Sequence, residues 1–508
     1  DLVQSQIVND LREEHNPLWS RRGNWDRAYR ESRTPTCPSM LLELLSHQNF
    51  SDMKYGLDPS FKFTASRAVY KGMLKYLSNR YEQPYIVQPL PVRNMAVAFT
   101  ADSSSTDLTE VVLSWDRTDD PIEPTAKADG YILQTRVDDG AFDSGIIVKD
   151  PTYRNGHFST ILRIDPGHIY SYRITAWNKG GKSFASETVS VGVPARTDSS
   201  RIFKRILVVN NFDRVSGPAF VDNGNYAGFL NDKESGVPMN RDISFTGAMH
   251  DFDRNSQYTS DTNPGFGASY CDNYGKIIAG NTFDYSRIHG KVLLDAGYPF
   301  SSCSKEVFCR DSILRDACWT ADIICGKQVT TIVGSGLQRK FEAFPAGMQD
   351  ALTAFAAEGG NILVSGAYIG TDIWDQIYPF EKDKTATAAS KKFAQNVLGY
   401  RWASNNASRQ GKVRYIRNDK LENIPSGTYD ICNEINSIRY CVESPDGILP
   451  AVKSAESVMR YADSGISAGI FNDAQSYRTA CLGFPVEALE SEESINEIIR
   501  ITLEFFSR

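Results

Sequence analysis

The sequence lacks several features that would define its class at once. It has no block of basic residues, and 55 Lys and Arg against 62 Asp and Glu give a net charge of −7. That balance argues against nucleic acid as a partner. No run approaches the roughly 18 to 20 apolar residues of a membrane span, so we expect no membrane-spanning segment. What remains, 41% hydrophobic and 23% charged residues over 508 positions, is typical of a globular chain. Its length predicts about three domains.

None of the nine cysteines stands in a C-x-x-C pair, which argues against a structural zinc site of that kind. The cluster from Cys303 to Cys325 and the pair Cys432 and Cys441 would suit disulfides in an oxidising compartment. Buried thiols in a reducing compartment are the alternative. The odd number leaves at least one thiol free or paired outside the chain.

An apolar run near the start of the chain, Met40 to Leu42, ends in a single carboxylate, Glu43. Polar residues follow at once, which predicts a buried strand over 38–43 that opens into a loop. A carboxylate placed there would be partly desolvated, and desolvation raises a carboxyl pKa towards the range useful for proton transfer. The alternative is that Glu43 is the solvated end of a strand.

The surrounding segment resembles the C-terminal half of the zinc-dependent N-acetylmuramoyl-L-alanine amidase domain. The parts that carry the resemblance are a helix at 7–14, an Arg-rich stretch at 21–33, the strand at 38–43, an Asn/Asp loop at 49–52 and a helix at 64–77. The resemblance implies that Glu43 is the catalytic glutamate beside a zinc-bound water and that the substrate is peptidoglycan. It also implies a zinc cofactor whose ligands, two His and a Glu, lie upstream of this segment and are not in this chain.

We therefore expect residues 1–83 to form half of an amidase-like domain. The missing half, or another surface protein, would be the partner that completes it. Residues 84–92 contain Pro84, Pro89 and Pro91, a density that stiffens the chain and predicts an interdomain linker. The family implies an extracytoplasmic setting in the periplasm or at the cell surface. Because Asp1 is not an initiating residue, we expect that a leader was removed or not included.

Residues 93–196 are expected to form a small all-β domain. The runs at 111–115 and 130–136 are rich in β-branched and aromatic residues, and an Asp-Asp-Gly sequence at 138–140 marks a tight turn. The stretch 164–183 resembles the last strands of a fibronectin type III domain, with Trp115, Tyr131 and Tyr170 at its core tryptophan, core tyrosine and corner tyrosine. Such sandwiches are spacers or docking surfaces, and direct glycan binding is the alternative.

Residues 201–508 alternate between strand and helix patterns. The strands are expected at 205–210 and 361–365, and the helices at 346–358, 391–398 and 490–506. This alternation predicts a doubly wound, mostly parallel sheet with helices on both faces. The segment resembles a flavodoxin-type, class I glutamine-amidotransferase-like domain, as in bacterial surface proteins often labelled xanthan lyase. The turn at 366–370 has the spacing of a nucleophile elbow, but Tyr368 occupies the nucleophile position and is a poor nucleophile.

Two polar groups in this third domain are candidate sites. Asp213, Arg214 and Ser216 follow the first strand, where open α/β sheets bind ligands, and we expect them with Tyr368 to bind a sugar or a carboxylate. The second group follows at 250–253: His250, Asp251 and Asp253 have a spacing that could hold a metal, with a solvated loop as the alternative. Aromatic residues between 218 and 269 would either stack on sugar rings or pack.

The sequence thus predicts a multidomain chain of α/β plus all-β class. These parts are an amidase-like α/β segment, a fibronectin type III β-sandwich and a large doubly wound α/β domain. The favoured function is zinc-dependent hydrolysis of the N-acetylmuramoyl-L-alanine amide by the completed protein. The alternatives are a non-catalytic surface protein that binds a glycan or a partner, and a polysaccharide-processing protein of the xanthan-lyase-labelled kind.

Overall fold

The computed structural model describes residues 1–100, 107–154, 156–195, 204–224, 226–230, 234–243, 248–261, 264–270, 275–333, 338–374 and 387–508. The predicted boundary between the second and third domains, at 196–201, lies outside these residues. Within the described parts, every helix is too short or too polar to span a bilayer.

The N-terminal segment is helical and has no strand. Its helices are α1 (Leu2–Glu14), α2 (Arg30–Arg33), α3 (Phe50–Gly56) and α4 (Pro59–Tyr81). Helix α4 begins at Asp58, whose carboxylate accepts from the Ser60 amide, and it ends at Glu82 in a left-handed conformation. A Cβ on Gly72 would lie 2.6 Å from the Cα of Val3, so α1 and α4 approach closely where glycine stands. The two predicted helices are confirmed.

The predicted strand at 38–43 is wrong. Residues 38–46 run without regular structure and without a partner strand, and the side chains of Met40, Leu41 and Leu42 are exposed. An apolar run of this length becomes a strand only if a neighbouring strand accepts its backbone hydrogen bonds, and none of the described residues supplies one.

The second domain is a β-sandwich, joined to α4 by buried ion pairs. Its strands are β1 (Arg93–Phe99), β2 (Glu110–Asp116), β3 (Gly130–Val137), β4 (Ile146–Ile147), β5 (Thr152–Arg154), β6 (His157–Arg163), β7 (Ile169–Asn178), β8 (Gly181–Lys182) and β9 (Val189–Gly192). One sheet pairs β1, β2, β6 and β5, and the other pairs β4, β3, β7, β8 and β9. Lys71 of α4 is buried between Asp10 at 3.0 Å and Glu123 at 3.6 Å, so the helices and the sandwich pack as neighbours.

The aromatic core of the sandwich is the predicted one. Trp115 is fully buried, and its ring centroid lies 5.3 Å from that of Tyr131. The hydroxyl of Tyr170 accepts from the Asp165 amide at 3.3 Å, five residues upstream, as a corner tyrosine does.

The third domain contains the remaining strands and helices. Its strands are β10 (Ile206–Asn210), β11 (Phe220–Asp222), β12 (Ala227–Phe229), β13 (Arg241–Asp242), β14 (Ala248–Met249), β15 (Ser269–Tyr270), β16 (Ile278–Ala279), β17 (Phe300–Ser304), β18 (Thr320–Gly326), β19 (Thr331–Val333), β20 (Gln338–Lys340), β21 (Asn361–Gly366), β22 (Tyr400–Ser404), β23 (Lys412–Tyr415), β24 (Thr428–Asp430), β25 (Gly447–Pro450), β26 (Ala455–Tyr461), β27 (Ser467–Asp473) and β28 (Arg478–Leu482). Its helices are α5 (Tyr285–Asp295), α6 (Lys305–Arg310), α7 (Ser312–Asp316), α8 (Ala346–Ala357), α9 (Thr371–Trp374), α10 (Ala388–Phe393), continued by a π-helical turn over Ala394–Leu398, and α11 (Glu492–Phe506).

Five parallel strands form the centre of this domain in the order β17, β10, β18, β21, β28. Antiparallel strands β27, β26, β23 and β24 continue the sheet beyond β28. Side chains of β10 alternate between two cores: Ile206 and Val208 pack with α5 and α11, whereas Leu207 and Val209 pack with α6 and α8. Helices therefore cover both faces, and the predicted fold class of α/β plus all-β domains is confirmed.

The sandwich and the parallel sheet are hydrogen-bonded to each other. Strand β1 pairs antiparallel with β17, with Ala96 opposite Cys303, and β9 also meets β17 at Phe300. The sandwich therefore covers the free edge of the parallel sheet, a position that also prevents edge-to-edge aggregation. A loosely tethered spacer would not share a sheet with its neighbour.

The predicted disulfides do not form. All eight described cysteines are unpaired, and Cys271 lies outside the described residues. Cys303, Cys325 and Cys481 lie on strands whose side chains at these positions belong to the apolar core facing α8, and burial raises the pKa of each thiol. Thiols held this way act as small apolar side chains, which was the alternative prediction.

Candidate functional site

The strand order of the third domain defines where a ligand would bind. From β10 the chain continues to β17 on one side and then crosses to β18 on the other. This gives the order 2-1-3-4-5, with a switch point between the first and third strands, and open α/β sheets bind ligands outside the carboxyl ends of the strands at that point. The residues that follow β10, β17 and β18 therefore form the candidate site, which we call the switch-point crevice: 211–214, 305–306 and 327–328.

Asp213 is the centre of the crevice. One of its carboxylate oxygens accepts from Gln328 Nε2 at 2.6 Å, and the other lies 2.8 Å from Lys305 Nζ. The side-chain oxygen Oε1 of Gln328 in turn accepts from the backbone amides of Asp213 and Arg214, each at 3.2 Å. The Asp213 side chain keeps 39% of its surface exposed. The Asp213 carboxylate is thus an acceptor held in place at the protein surface, and the Lys305 ammonium and the Gln328 amide are the donors beside it.

Two further carboxyl groups near the crevice are held away from bulk water. Burial and the charge of Asp372 raise the pKa of Glu342 to about 7, although the Lys305 ammonium opposes the shift. Burial also raises the pKa of Glu187 to about 7, while the hydrogen bond from Asn210 opposes the shift. Glu187 belongs to the sandwich, and its carboxylate accepts from Asn210 Nδ2 at 2.9 Å and from the Met95 amide at 3.4 Å. Carboxyls that titrate near neutrality are typical of functional sites.

Beneath the crevice lies a network of buried charges. Arg214 pairs with Glu234, and Lys327 pairs with Glu234 at 3.2 Å and with Glu443 at 2.8 Å. The exposed fractions of these side chains are at most 11%. Arg214 also donates to the Lys327 carbonyl at 3.0 Å, which ties the loop after β10 to the loop after β18. We predicted that Arg214 would bind ligand, but its side chain is enclosed and holds the crevice together instead.

Tyr368 is also enclosed. Its side chain is 1% exposed, and burial together with the charges of Glu443 and Glu234 raises its pKa well above the ordinary value. The turn that carries it is fixed by Asp446, whose carboxylate accepts from the Gly370 amide at 2.6 Å and the Thr371 amide at 2.8 Å. A buried phenol that resists ionisation is neither a nucleophile nor a ligand contact, so the predicted binding role of Tyr368 finds no geometric support.

Ser216 does not share the crevice with Asp213. It is fully buried, and its backbone pairs with Val237. Ser216 instead lines a different pocket, which is shared with α3 and the β11–β12 hairpin. The four residues that we grouped from sequence are therefore divided among a crevice, a buried network, a closed turn and a second pocket.

The predicted metal site at 250–253 does not form. Within the described ranges, no three His, Cys, Asp or Glu residues are grouped closely enough to hold a metal ion. Asp251 accepts from the Asp253 amide at 3.0 Å, and Asp253 accepts from the Asn255 amide at 2.9 Å. These carboxylates cap successive turns, and burial lowers the pKa of His250. The alternative prediction was a solvated loop, and it is also wrong in part, because His250 and Asp251 are buried.

Glu43 faces solvent. Its side chain is 62% exposed, and the charged group nearest to it in an ion pair is the Arg22 guanidinium, at 4.0 Å. The predicted desolvation of Glu43 is wrong. The zinc that the amidase resemblance implies does not fit this environment, because a cation is the neighbour of Glu43 and His15 is turned to Thr64 Oγ1 at 3.1 Å. A catalytic role for Glu43 stays a prediction.

Lys305, Gln328, Glu342 and Glu187 were not predicted from the sequence. Lys305 and Gln328 follow strands β17 and β18 directly, so recognising those two strands would have marked their positions. Glu342 and Glu187 carry no such signal, because Glu342 lies in the segment after β20 and Glu187 belongs to the sandwich.

No protein-family model matches the sequence, and no curated protein matches it. Similar solved structures include the fourth fibronectin III domain of a human protein, 19% identical over 22% of this chain and 83% of that chain, with a TM-score of 0.17. The exo-beta-1,4-mannosidase Op5Man5 from Opitutaceae bacterium strain TAV5 is 11% identical over 44% of this chain and 29% of that chain, with a TM-score of 0.24. The crystal structure of BhCBM56 is 16% identical over 19% of this chain and 88% of that chain, with a TM-score of 0.14. At these scores the likenesses carry no argument about activity.

Proposed function

We propose that this chain is a glycan-binding protein of the extracytoplasmic surface, and that it binds a saccharide in the switch-point crevice. The observation that carries the proposal is the Asp213 carboxylate held between Lys305 and Gln328 while part of it faces solvent. A sugar ring offers adjacent hydroxyls that each donate and accept. The Asp213 carboxylate can accept from one hydroxyl, while the Lys305 ammonium and the Gln328 amide can donate to its neighbour. Convergent polar groups of this kind orient small ligands.

Position and rigidity support the same function. The crevice lies where a sheet of this strand order, that of flavodoxin-type domains, binds ligands. The sandwich closes one side of it through Glu187, and the buried ion pairs of Arg214 and Lys327 fix the loops behind it. A site whose loops are already ordered loses little conformational entropy on binding.

Peptidoglycan is the finer proposal for the ligand, since the N-terminal segment resembles a peptidoglycan amidase. Amide hydrolysis is not part of the proposed function of these residues. Glu43 is exposed beside Arg22, and the described residues offer no site for the zinc that such hydrolysis requires. We do not include other polysaccharide processing in the proposal, because the described residues show no assembled set of catalytic groups for it.

A glycan array and calorimetry on the full chain test the proposal. The array should include peptidoglycan fragments and neutral bacterial and plant oligosaccharides, and each glycan that binds is then titrated in solution. Asp213→Asn keeps the size of the side chain but removes its charge, and we expect it to weaken binding about 10- to 100-fold, the usual worth of a hydrogen bond to a charged group.

Glu43→Gln is the matched control, because it removes one carboxylate from an exposed position outside the crevice. We expect it to bind like the parent. Binding that Glu43→Gln abolishes and Asp213→Asn leaves intact would overturn the crevice and favour the amidase-like segment instead. No binding to any arrayed glycan would overturn the proposed function as a whole.

A further inference from the structure

The stretch 21–33 is the Arg-rich part of the N-terminal segment, and the proposed function gives it no role. It contains five arginines and two acidic residues, Asp26 and Glu31, so it carries a net charge of +3 in a chain of net charge −7. Every residue of the stretch except the half-buried Ser32 is exposed. Neither of the two carboxylates forms an ion pair with a described residue. The stretch is therefore a positively charged surface on a negatively charged protein, and such a surface attracts anions.

Contacts with α1 and with Asp1, which precedes it, hold this stretch in place. Gln4 Nε2 donates to the Arg22 carbonyl oxygen at 2.6 Å, and Asn24 Nδ2 donates to Asp1 Oδ1 at 2.7 Å. The Arg21 guanidinium pairs with the same Asp1 carboxylate. The charge of Arg21 is thus already engaged, and the backbone that carries Arg22 is ordered before any ligand binds. Binding to an ordered surface costs less conformational entropy.

Trp25 holds two guanidinium groups beside one ring. The guanidinium carbon of Arg22 lies 5.1 Å from the centroid of the Trp25 ring, and that of Arg27 lies 5.0 Å from it. Cation–π attraction of this kind offsets the repulsion between the like charges. Trp25 nevertheless remains 53% exposed. The surface thus combines two positioned cations with apolar area that solvent reaches.

Few counter-ions are available to these arginines. The Arg22 guanidinium lies 4.0 Å from the Glu43 carboxylate, but the two side chains are 75% and 62% exposed, so water screens the contact. Among the described residues, no carboxylate lies within ion-pair distance of Arg27, Arg30 or Arg33. Arg30 and Arg33 stand three residues apart in α2 and so lie on one side of that helix. Four guanidinium groups therefore remain available to an anion from outside the chain.

We propose that Arg22, Trp25, Arg27, Arg30 and Arg33 form an arginine surface that binds an acidic polysaccharide. A guanidinium group presents parallel donors that match the two oxygens of a carboxylate. A chain with a carboxylate on each sugar ring can meet several guanidinium groups at once, and its rings can cover the exposed part of the Trp25 indole. The choice of a polysaccharide rests on the proposed glycan function, whereas the negative charge of the ligand does not.

Calorimetry with the full chain tests this proposal. The probes are an oligogalacturonate and the neutral oligogalactoside of the same length, each titrated at low and at physiological salt. We expect the acid to bind at least about tenfold more tightly than the neutral chain at low salt, and the preference to shrink at physiological salt because ions screen exposed charges. Arg27→Gln combined with Arg30→Gln removes two unpaired charges, and this double variant should lose most of the preference.

Arg414→Gln combined with Arg417→Gln is the matched control. These two arginines are also exposed and three residues apart, but they lie in and directly after strand β23 of the third domain. The control changes the net charge by the same amount, so we expect it to keep the preference within about twofold. Both double variants should unfold at the urea concentration of the parent, because none of the four side chains is buried.

Equal affinity for the acid and the neutral chain at low salt would overturn the proposal, as would equal losses in the two double variants. Tighter binding of a single-stranded oligonucleotide of the same charge would also overturn it and favour nucleic acid as the partner. Asp213→Asn should leave the affinity for the acid unchanged, and a loss there would place the acid in the crevice and sink the arginine surface. If the acid binds and no neutral glycan does, the arginine surface stands and the crevice proposal fails.

Discussion

The buried charges beneath the crevice give the sharpest prediction about stability. Lys327 Nζ lies 2.8 Å from Glu443 and 3.2 Å from Glu234, and the Lys327 side chain is 1% exposed. At an effective dielectric constant of about 20, a contact near 2.8 Å corresponds to about 6 kcal/mol of attraction, much of which desolvation offsets. Lys327→Met would remove the ammonium that Glu234 and Glu443 share. We expect it to lower the free energy of unfolding by about 3 to 5 kcal/mol.

A double-mutant cycle measures the coupling directly. Lys327→Met, Glu443→Gln and the double variant are unfolded with urea, followed by far-UV circular dichroism and tryptophan fluorescence. In the double variant one cation and one anion leave together, so its loss should be smaller than the sum of the single losses by at least about 1 kcal/mol. Losses that add within about 0.5 kcal/mol would refute the argument, because they would mean that the two charges do not interact.

Three further predictions follow from other parts of the molecule. The pKa of Glu342 is raised from 4.5 to about 7, so its contribution to stability is present below pH 4.5 and is lost as the pH rises through 7. Glu342→Gln should remove that part of the pH dependence in urea titrations, and an unchanged profile would contradict the assignment. Burial alone would lower the pKa of His289, but Asp322 and Glu487 raise it from 6.5 to about 10. The difference in free energy of unfolding between the parent and His289→Leu should therefore be largest below pH 6.5 and shrink as the pH rises towards 10. A difference that does not change with pH would count against the buried ion pairs. Cys37 is the exposed thiol among the described cysteines, so a thiol reagent should label it first in the folded protein, and Cys37→Ser should abolish the fast phase. A fast phase that persists in Cys37→Ser would mean that another thiol is accessible.

Elements with a strong local pattern were predictable. Strand β10 reads as a continuous apolar run because both of its faces are covered, and α11 has its apolar residues at helical spacing. The sandwich was predictable from its aromatic residues, since Trp115 and Tyr131 pack against each other as their positions require. These patterns depend on residues close in sequence.

The candidate site was predictable only in part. Position after β10 placed Asp213 correctly at the carboxyl edge of the sheet. The sequence could not show that Arg214, one residue later, turns inward to Glu234, because that depends on a partner 20 residues away. Nor could it show that 38–46 lacks a partner strand, since an apolar run has the same appearance with or without one. Predictions failed where the structure depends on contacts between distant segments.

Hydrogen–deuterium exchange with and without a bound glycan tests the central claim most directly. A saccharide in the switch-point crevice should slow exchange at 211–214, 305–308 and 327–330, the segments that contain Asp213, Lys305 and Gln328. Residues 38–52 around Glu43 should exchange at the same rate in both states. Protection confined to 38–52, with none in the loops of the third domain, would contradict the account.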